Sequence, residues 1–359
     1  MRCEKTQTER RGMAGAGRFF EDFIVGDVIR HATPRTVTLG DLALNQALYG
    51  NRYVVQSSDA FAQGLGYPRS PVDDLVTFHV VFGKTVPDVS LNAFANLGYA
   101  AGRFLTPVYP GDTLSSTSQV IGVRPTSKGD AGVVWVRTRG SRADGELVLE
   151  YVRWVLVQVQ GGRSIQDAVV PDLPAVVDPA GIGGACPRVD LSAWDDALSG
   201  SPRRFDDYAV GERIDHVDGM TVEEAEHQLA TRLWQNTARV HFDNHAQKAS
   251  KIGRRLVYGG HVISLARGLM YNGLENAFHV AAINGGRHVA PIFAGDTLYA
   301  WSEILDKQTL PGRDDVGALR VRLVGLKNDA PGAFPLKTED GKDHPAVVLD
   351  LDLWVLLPR

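Results

Sequence analysis

The segment FFEDFIVGDVI at Phe19–Ile29 returns as RFDDYAVGERI at Arg204–Ile214, 185 positions further along the chain. A second pair, RFLTPVYPGDTL beginning at Arg103 and RHVAPIFAGDTL beginning at Arg287, repeats at nearly the same offset. Two matched segments in the same order and at almost the same spacing indicate an internal duplication, which must be recognised before any other feature of the fold is interpreted. The chain of 359 residues is therefore predicted to consist of two homologous halves.

Both halves carry the same order of signals: a polar helix-like stretch, a loop, an apolar helix and a series of β-rich runs. The helix of the second half, HVISLARGLMYNGL from His261, is apolar on most faces, which is typical of a helix enclosed by other elements. Runs such as ELVLEYVRWVLVQV from Glu146 and VVLDLDLWVLL from Val347 predict long antiparallel strands. One buried helix wrapped by a curved antiparallel sheet is the hotdog arrangement, so the sequence predicts an α+β tandem (double) hotdog.

The repeat also sets the predicted domain boundaries. Residues 19–160 form the N-terminal hotdog and residues 203–359 form the C-terminal hotdog. Between them, residues 161–202 include a Pro-, Gly- and Ala-rich run without periodicity, which predicts a linker wrapped over the surface. The polar residues 1–18 predict a disordered tail.

Composition excludes several classes of protein. The formal net charge is −4 and no run of Lys or Arg interleaves with aromatic residues, so nucleic acid is not an expected partner. The two cysteines, Cys3 and Cys186, predict neither a disulfide framework nor a thiolate metal site. The chain shows no apolar leader, and no stretch approaches the ~20 apolar residues of a membrane span. We therefore expect a cytoplasmic protein without a metal site or membrane association.

The segment QNTARVHFDNHAQ at Gln235–Gln247 carries the candidate chemistry. It resembles the hydratase signature of the MaoC family, in which Asp, Asn-Pro and His recur as D-x-N-P-φ-H (φ is aliphatic), often followed by x-D. In that register Asn236 stands at the Asp position, His241 at the His and Asp243 at the trailing Asp. Adding water to an α,β-unsaturated thioester requires a base for the water and an acid for the α-carbon, and imidazole titrates near neutrality. His241 is therefore the predicted acid/base residue.

Asn236 is the main departure from this signature. An amide exchanges no proton at neutral pH, so Asn236 can orient a water molecule but cannot deprotonate it. Two alternatives follow: Asp243 supplies the missing carboxylate, or His241 works alone while Asn236 holds the water. In the first half, Asn51 and Gln56 occupy the Asp and His positions, and glutamine is not a base. The N-terminal half is therefore predicted to shape the acyl-CoA groove, which leaves one active site per chain.

The pair Gly259-Gly260 before the apolar helix is the second candidate feature. Backbone N–H groups and the helix dipole at such a position suit a thioester oxygen on which enolate charge develops, and we assign substrate binding to them. Paired glycines also simply permit a tight turn and close packing. His261 is a further polar group at this position, although such a residue commonly caps a helix.

From Phe19 onward the chain is similar to the MaoC-like hydratases and, within them, to the mesaconyl-CoA hydratases, also called β-methylmalyl-CoA dehydratases. The segments QNTARVHFDNHAQ and FAGDTLYAWSEIL carry this resemblance. It implies reversible hydration of mesaconyl-CoA to β-methylmalyl-CoA, as in glyoxylate assimilation and the ethylmalonyl-CoA pathway. CoA would enter only as part of the substrate, without a metal or redox cofactor. The free carboxylate of the substrate requires a polar partner, for which Arg239 and Arg255 are candidates.

Three alternative functions stay open at the level of sequence. An R-specific 2-enoyl-CoA hydratase of fatty acyl chains would need a long apolar tunnel, and a hotdog thioesterase would release CoA. The third alternative is an inactive acyl-CoA-binding subunit, because the Asp of the family is missing from both halves. Such a subunit would bind acyl-CoA without turnover. We also expect a homodimer or higher homo-oligomer, because symmetric dimers are the commonest soluble oligomers.

Overall fold

A computed structural model of the protein describes residues 9–11, 17–161 and 166–359. Most of the predicted disordered tail, residues 1–8 and 12–16, lies outside the described residues, as do residues 162–165 of the predicted linker. Residues 9–11 form a short strand, and Arg18 is buried, with 3.5 Å between its guanidinium and the carboxylate of Asp88.

The strands of the described chain form one sheet. Their bounds are β1 Glu9–Arg11, β2 Val28–Arg30, β3 Arg35–Thr36, β4 Ala93–Phe104, β5 Thr113–Pro125, β6 Ala131–Arg142, β7 Leu147–Gln158, β8 Arg213–Thr221, β9 His279–His288, β10 Thr297–Leu310, β11 Arg313–Lys327 and β12 Val347–Pro358. The strand order is β1-β2-β5-β6-β7-β4-β9-β12-β11-β10-β8, and β3 pairs with β5. All described pairings except β1–β2 are antiparallel.

Two central helices, α4 and α8, lie against this sheet. The α-helices of the described chain are α1 Leu39–Tyr49, α2 Val54–Ser57, α3 Asp59–Leu65, α4 Asp74–Thr85, α5 Asp196–Ser199, α6 Glu224–Leu233, α7 Asn244–Lys248 and α8 Gly259–Leu269. All residues of α4 and nearly all of α8 are buried, α4 against β5 and β7 and α8 against β10 and β11. Such burial on all faces explains why the sequence of α8 is apolar around the whole helix. The helix begins at Gly259, so both glycines of the pair lie in its first turn.

The two halves meet at the centre of the sheet. Strands β4 and β9 pair antiparallel, with Tyr99 opposite Gly286 and Arg103 opposite Ala282. On one side of this junction lie β2, β5, β6, β7 and β4 with α4, and on the other lie β8, β10, β11, β12 and β9 with α8. The predicted α+β double hotdog is therefore confirmed.

The linker differs from its prediction as a surface segment. Its apolar side chains Val177, Ile182 and Trp194 are buried. The Trp354 indole donates a hydrogen bond to the Val177 carbonyl at 3.1 Å, and the Val177 N–H donates to Asn284 at 2.8 Å. Burying these apolar groups is favourable, which explains why a segment rich in Pro and Gly packs into the core. None of the described helices is long and apolar enough to cross a membrane.

Candidate active site

A cavity of about 310 Å³, called here the main cavity, lies where the two halves meet. The N-terminal half contributes the end of α4, the π-helical turn Val86–Ser90 and the first residues of β4. The C-terminal half contributes the hydratase-like motif, the start of α8 and the end of β9. The polar side chains that line the cavity are Ser90, Asn96, Tyr99, Arg153, Asn236, His241, Tyr258 and His288. The motif of one half therefore faces strands of the other.

His241 lines the main cavity, as a catalytic role requires. It ends the 3-10 turn Arg239–His241, and its Nδ1 lies 2.9 Å from the Leu256 carbonyl. The Leu256 N–H donates to the Val240 carbonyl at 3.0 Å, which ties the motif to the segment before α8. A carbonyl accepts only, so Nδ1 carries the proton and Nε2 keeps its lone pair. Burial lowers the pKa of His241 to about 4, so the ring is neutral at pH 7 and can accept a proton.

Asn236 also lines the cavity, but its side-chain oxygen serves the backbone. Oδ1 accepts a hydrogen bond from the Ala238 N–H at 2.9 Å, which forms a local Asx turn. The first half repeats this turn, with the Asn51 side chain accepting from the Tyr53 N–H at 3.2 Å. Because a half without a catalytic His keeps the turn, the Asn236 oxygen has a structural role. Its Nδ2, which has no partner among the described residues, is the group left to donate a hydrogen bond to a water molecule.

The structure does not bring Asp243 to the main cavity. Its carboxylate caps α7 by accepting the Ala246 N–H at 3.0 Å. The prediction that Asp243 replaces the missing carboxylate is therefore not supported, because the cap directs this carboxylate to the backbone of α7.

His261 is likewise absent from the lining of the main cavity, against its predicted contact with substrate. The side chain is fully buried, and its ring centroid lies 5.3 Å from that of Tyr49. Burial lowers the pKa of His261 to about 3, and neither ring nitrogen has a hydrogen-bond partner among the described residues. The helix turns this residue away from the cavity, since it lies two positions after Gly259.

Gly259 lines the main cavity, whereas Gly260 packs beneath the Tyr258 ring, where an added Cβ would lie 2.4 Å from ring atoms. The His261 and Val262 N–H groups bond to the Tyr258 carbonyl. Within the described chain no acceptor bonds the Gly259 or Gly260 N–H. Gly260, like His261, is absent from the cavity lining, against its predicted contact with substrate. The free Gly259 donor, at the positive end of an 11-residue helix, suits a developing oxyanion.

The equivalent helix start in the first half is closed to an anion. Asp73 and Asp74 stand 185 positions before Tyr258 and Gly259. The Asp73 carboxylate accepts the Leu75 N–H at 2.8 Å, and the Asp74 carboxylate accepts the Val280 N–H at 2.8 Å. Two carboxylates would repel an enolate oxygen at this end of α4.

Gln56, at the His position of the first half, is buried and donates to the Phe278 carbonyl at 2.6 Å. This amide holds the two halves together and offers no base. Together with the two carboxylates at the start of α4, it supports the prediction of a single active site per chain.

His288 is a cavity residue that sequence reasoning missed. Its Nε2 lies 3.4 Å from the Tyr99 hydroxyl, and its ring packs so closely on Gly259 that an added Cβ would lie 2.6 Å from Nε2. Burial, together with the smaller effect of nearby His241, lowers the pKa of His288 to about 4. The available signal was the repeat itself, since RHVAPIF carries His288 where RFLTPVY carries Phe104.

No group of three or more His, Cys, Asp or Glu in the described part of the chain is arranged to hold a metal ion.

Comparison with known proteins adds independent evidence. A family model described as mesaconyl-CoA hydratase matches residues 3–176. The chain is 56% identical over 344 residues to the β-methylmalyl-CoA dehydratase of Chloroflexus aurantiacus, covering 96% of this chain and 97% of that protein. It is 56% identical over 351 residues to the mesaconyl-CoA hydratase of Cereibacter sphaeroides, covering 96% and 99%. A solved structure described as a MaoC domain protein dehydratase from Chloroflexus aurantiacus has a TM-score of 0.93 and 56% identity, covering 96% of this chain and 98% of the other.

Proposed function

The chain belongs to the mesaconyl-CoA hydratase family of MaoC-like proteins, and from this we propose that it catalyses the reversible hydration of mesaconyl-CoA to β-methylmalyl-CoA. Two relatives that match nearly the whole chain carry the names of the forward and the reverse reaction. The observation that carries the proposal within the site is His241, whose Nε2 is free and unprotonated beside the start of α8. A base next to an oxyanion site is what thioester hydration needs.

The reaction follows from these positions. Nε2 of His241 takes a proton from water as the water oxygen adds to the β-carbon of the substrate. The thioester oxygen gains negative charge and accepts a hydrogen bond from the Gly259 N–H group at the start of α8. The proton held by His241 then passes to the α-carbon, which completes hydration without net gain or loss of protons. Asn236 orients the water through Nδ2, in agreement with the second alternative from the sequence.

A second cavity of about 490 Å³ shares Asn236 with the main cavity and is a suitable position for the CoA portion. Lys84 and Arg232 line it. Cations at this place favour the phosphates of CoA through charge-assisted hydrogen bonds. The substrate would then cross from the second cavity to the main cavity beside Asn236. The homo-oligomeric state and the cytoplasmic location stay predictions, as does the absence of a metal or redox cofactor.

The first experiment follows the loss of enoyl-thioester absorbance with mesaconyl-CoA and with crotonyl-CoA. We expect the wild-type protein to hydrate mesaconyl-CoA faster, and His241→Ala to lose about 10²–10⁴-fold in kcat. His245→Ala is the matched control, because His245 lies in the same motif but is exposed on α7. A His241→Ala enzyme as active as wild type would refute the assignment of the base. Binding of mesaconyl-CoA without turnover by the wild-type protein would instead indicate the inactive binding subunit.

A further inference from the structure

We propose that Arg153, with Ser90 and Asn96, binds the free carboxylate of the acyl substrate and so makes the site specific for an unsaturated diacid thioester. The inference deepens the proposed function and rests on it. All three residues belong to the N-terminal half, which has no catalytic base, and all three line the main cavity with His241.

The guanidinium of Arg153 is held rigidly in the cavity wall. Its Nη2 donates to the Thr85 hydroxyl at 2.7 Å and to the Ser90 hydroxyl at 3.3 Å. The plane lies over the Phe82 ring, with 4.4 Å from Cζ to the ring centroid. These contacts orient the charged group without neutralising it.

No carboxylate among the described residues forms an ion pair with Arg153. Asp88, in the turn Val86–Ser90 that follows α4, is already engaged by Arg18 at 3.5 Å and by His31 at 2.8 Å. Arg153 itself is fully buried, and its Nε has no hydrogen-bond partner in the described chain. Guanidinium stays protonated at physiological pH, and a buried charge without a counter-ion is strongly unfavourable. An anionic ligand in the adjoining cavity would supply the missing counter-ion.

Asn96 supplies a second, independent observation. Both polar atoms of its side-chain amide are buried and have no partner among the described residues. Asn96 pairs with Val155 and Tyr99 pairs with Arg153 across β4 and β7, so the amide and the guanidinium lie on the same face of adjacent strands. Unsatisfied buried amides are rare in folded proteins, and a ligand that satisfies one is a physical explanation for it.

Ser90 completes the arrangement. Its oxygen accepts from Arg153, so its O–H remains available as a donor to the cavity. A carboxylate beside these groups would accept hydrogen bonds from the Ser90 hydroxyl and the Asn96 Nδ2, with the Arg153 charge next to it. Charge-assisted hydrogen bonds of this kind are about twice as strong as neutral ones.

The internal repeat shows that the fold does not need a cation at this place. Arg103 lies opposite Glu150 where β4 pairs with β7, and its repeat equivalent Arg287 lies opposite Asp350 where β9 pairs with β12. Three residues further along each strand stand Arg153 in β7 and Leu353 in β12. Leu353 is buried in the core, which is the ordinary solution at this strand position. The arginine in the first half therefore points to a function.

The chemistry of the substrate requires the carboxylate partner to lie in the same cavity as the base. In a butenedioyl thioester the free carboxylate is bonded to the β-carbon, which is the carbon that water attacks. Its partner must therefore lie within a few ångströms of the reacting atoms. Arg239 is exposed and does not line the main cavity, and Arg255 is paired with Glu224 and hydrogen-bonded to Gln228. The two arginines proposed from the sequence are therefore replaced by Arg153.

The test compares wild type, Arg153→Leu and the control Arg139→Leu with mesaconyl-CoA and crotonyl-CoA, which lacks the carboxylate. Leucine is the residue of the other half, and Arg139 is half-exposed on β6, paired with Glu150. We expect Arg153→Leu to lose about 10²-fold or more in kcat/KM for mesaconyl-CoA, while kcat/KM for crotonyl-CoA stays within a few-fold. Arg139→Leu should leave both values unchanged. The Tm of Arg153→Leu should stay equal or rise, because an unpaired buried charge is removed.

An equal loss on both substrates, or an unchanged preference for mesaconyl-CoA, would overturn the inference. If Arg153→Leu fails to fold, Ser90→Ala and Asn96→Ala decide the question by the same ratio, each with an expected loss of about tenfold specific to mesaconyl-CoA. Wild-type protein that hydrates crotonyl-CoA but not mesaconyl-CoA would refute the proposed substrate itself. The two failures are therefore distinguishable.

Discussion

The fall of kcat/KM at acidic pH reports the protonation state of His241. Burial lowers the pKa of this imidazole to about 4, below the usual histidine value. The neutral ring accepts the proton, so kcat/KM for hydration stays on its plateau above the folded-state pKa and falls as the pH drops through it. At pH 5 a group with a pKa of about 4 is about 90% neutral, whereas an exposed histidine with a pKa of about 6.5 is about 3% neutral. The expected kcat/KM at pH 5 is therefore about 30-fold above that of an enzyme with an unperturbed base.

The assay is the initial rate of enoyl-thioester hydration from about pH 4.5 to 8. Mesaconyl-CoA is compared with crotonyl-CoA, because the acyl group of crotonyl-CoA does not titrate. Folding must be checked at each pH. Burial lowers the pKa of His79 and of His261 to about 3, so stability is complete above the unfolded value of about 6.5 and declines as the pH falls. Enzyme returned to neutral pH must regain full activity. A reversible acid limb centred near 6.5 would refute the reasoning.

A charge variant tests the same step from the other side. Asn236→Asp keeps an oxygen for the Ala238 N–H and adds a negative charge to the cavity wall that holds His241. A nearby carboxylate favours the imidazolium, so the acid limb should move to higher pH. Asn244→Asp makes the same exchange at an exposed position of α7 that lines neither cavity, and it should shift the limb less. If the acid limb of the kcat/KM profile has the same midpoint pH in Asn236→Asp and in wild type, the placement of the Asn236 and His241 side chains is contradicted.

Variants at Asp243 and Gly259 separate structural from catalytic roles. Asp243→Asn keeps an acceptor for the Ala246 N–H and should leave kcat/KM within about twofold, whereas Asp243→Ala should lower the free energy of unfolding by about 1 kcal/mol; a loss of activity above about tenfold in Asp243→Asn would return this carboxylate to the reacting groups. Gly259→Ala would place Cβ 2.6 Å from the His288 Nε2, so the ring or the helix start must move, and kcat should fall about 10²-fold. Gly332→Ala, whose Cβ meets nothing within 4 Å, is the control, and an unchanged kcat in Gly259→Ala would contradict this packing.

The architecture was predictable because the duplication is visible in the sequence. The segments at Phe19–Ile29 and Arg204–Ile214 mark equivalent starts, and the apolar helix and alternating strands follow in both halves. The joining of β4 to β9 across the two halves was not predicted. The linker was predicted less well, because Pro and Gly suggested a surface loop while its separate apolar side chains, including Trp194, decided its burial.

The candidate site was predicted where a linear motif carried it. His241 lies in the hydratase-like motif and Gly259 in the glycine pair before the apolar helix, and both line the main cavity. Asp243 was misplaced because a cap and a catalytic carboxylate look alike in sequence, and only the α7 geometry separates them. Arg153 and His288 had no motif of their own. They reach the cavity through strand pairing, which joins residues far apart in the chain and leaves a local pattern uninformative.

The comparison of the two halves explains why one chain contains both. In a symmetric dimer of identical hotdogs, every substitution appears twice, so an arginine that faces the cavity of one subunit would also be buried in the other. Fusion removes this constraint, and the matched positions at which the halves differ include Gln56 and His241, Asp74 and Gly259, and Arg153 and Leu353. The second half has the base and the open helix start, while the first has the cation. Because β4 pairs with β9, these complementary groups meet in the main cavity. In the proposed function, a first half that needs no base is thus free to use its wall to recognise the charged end of a small substrate.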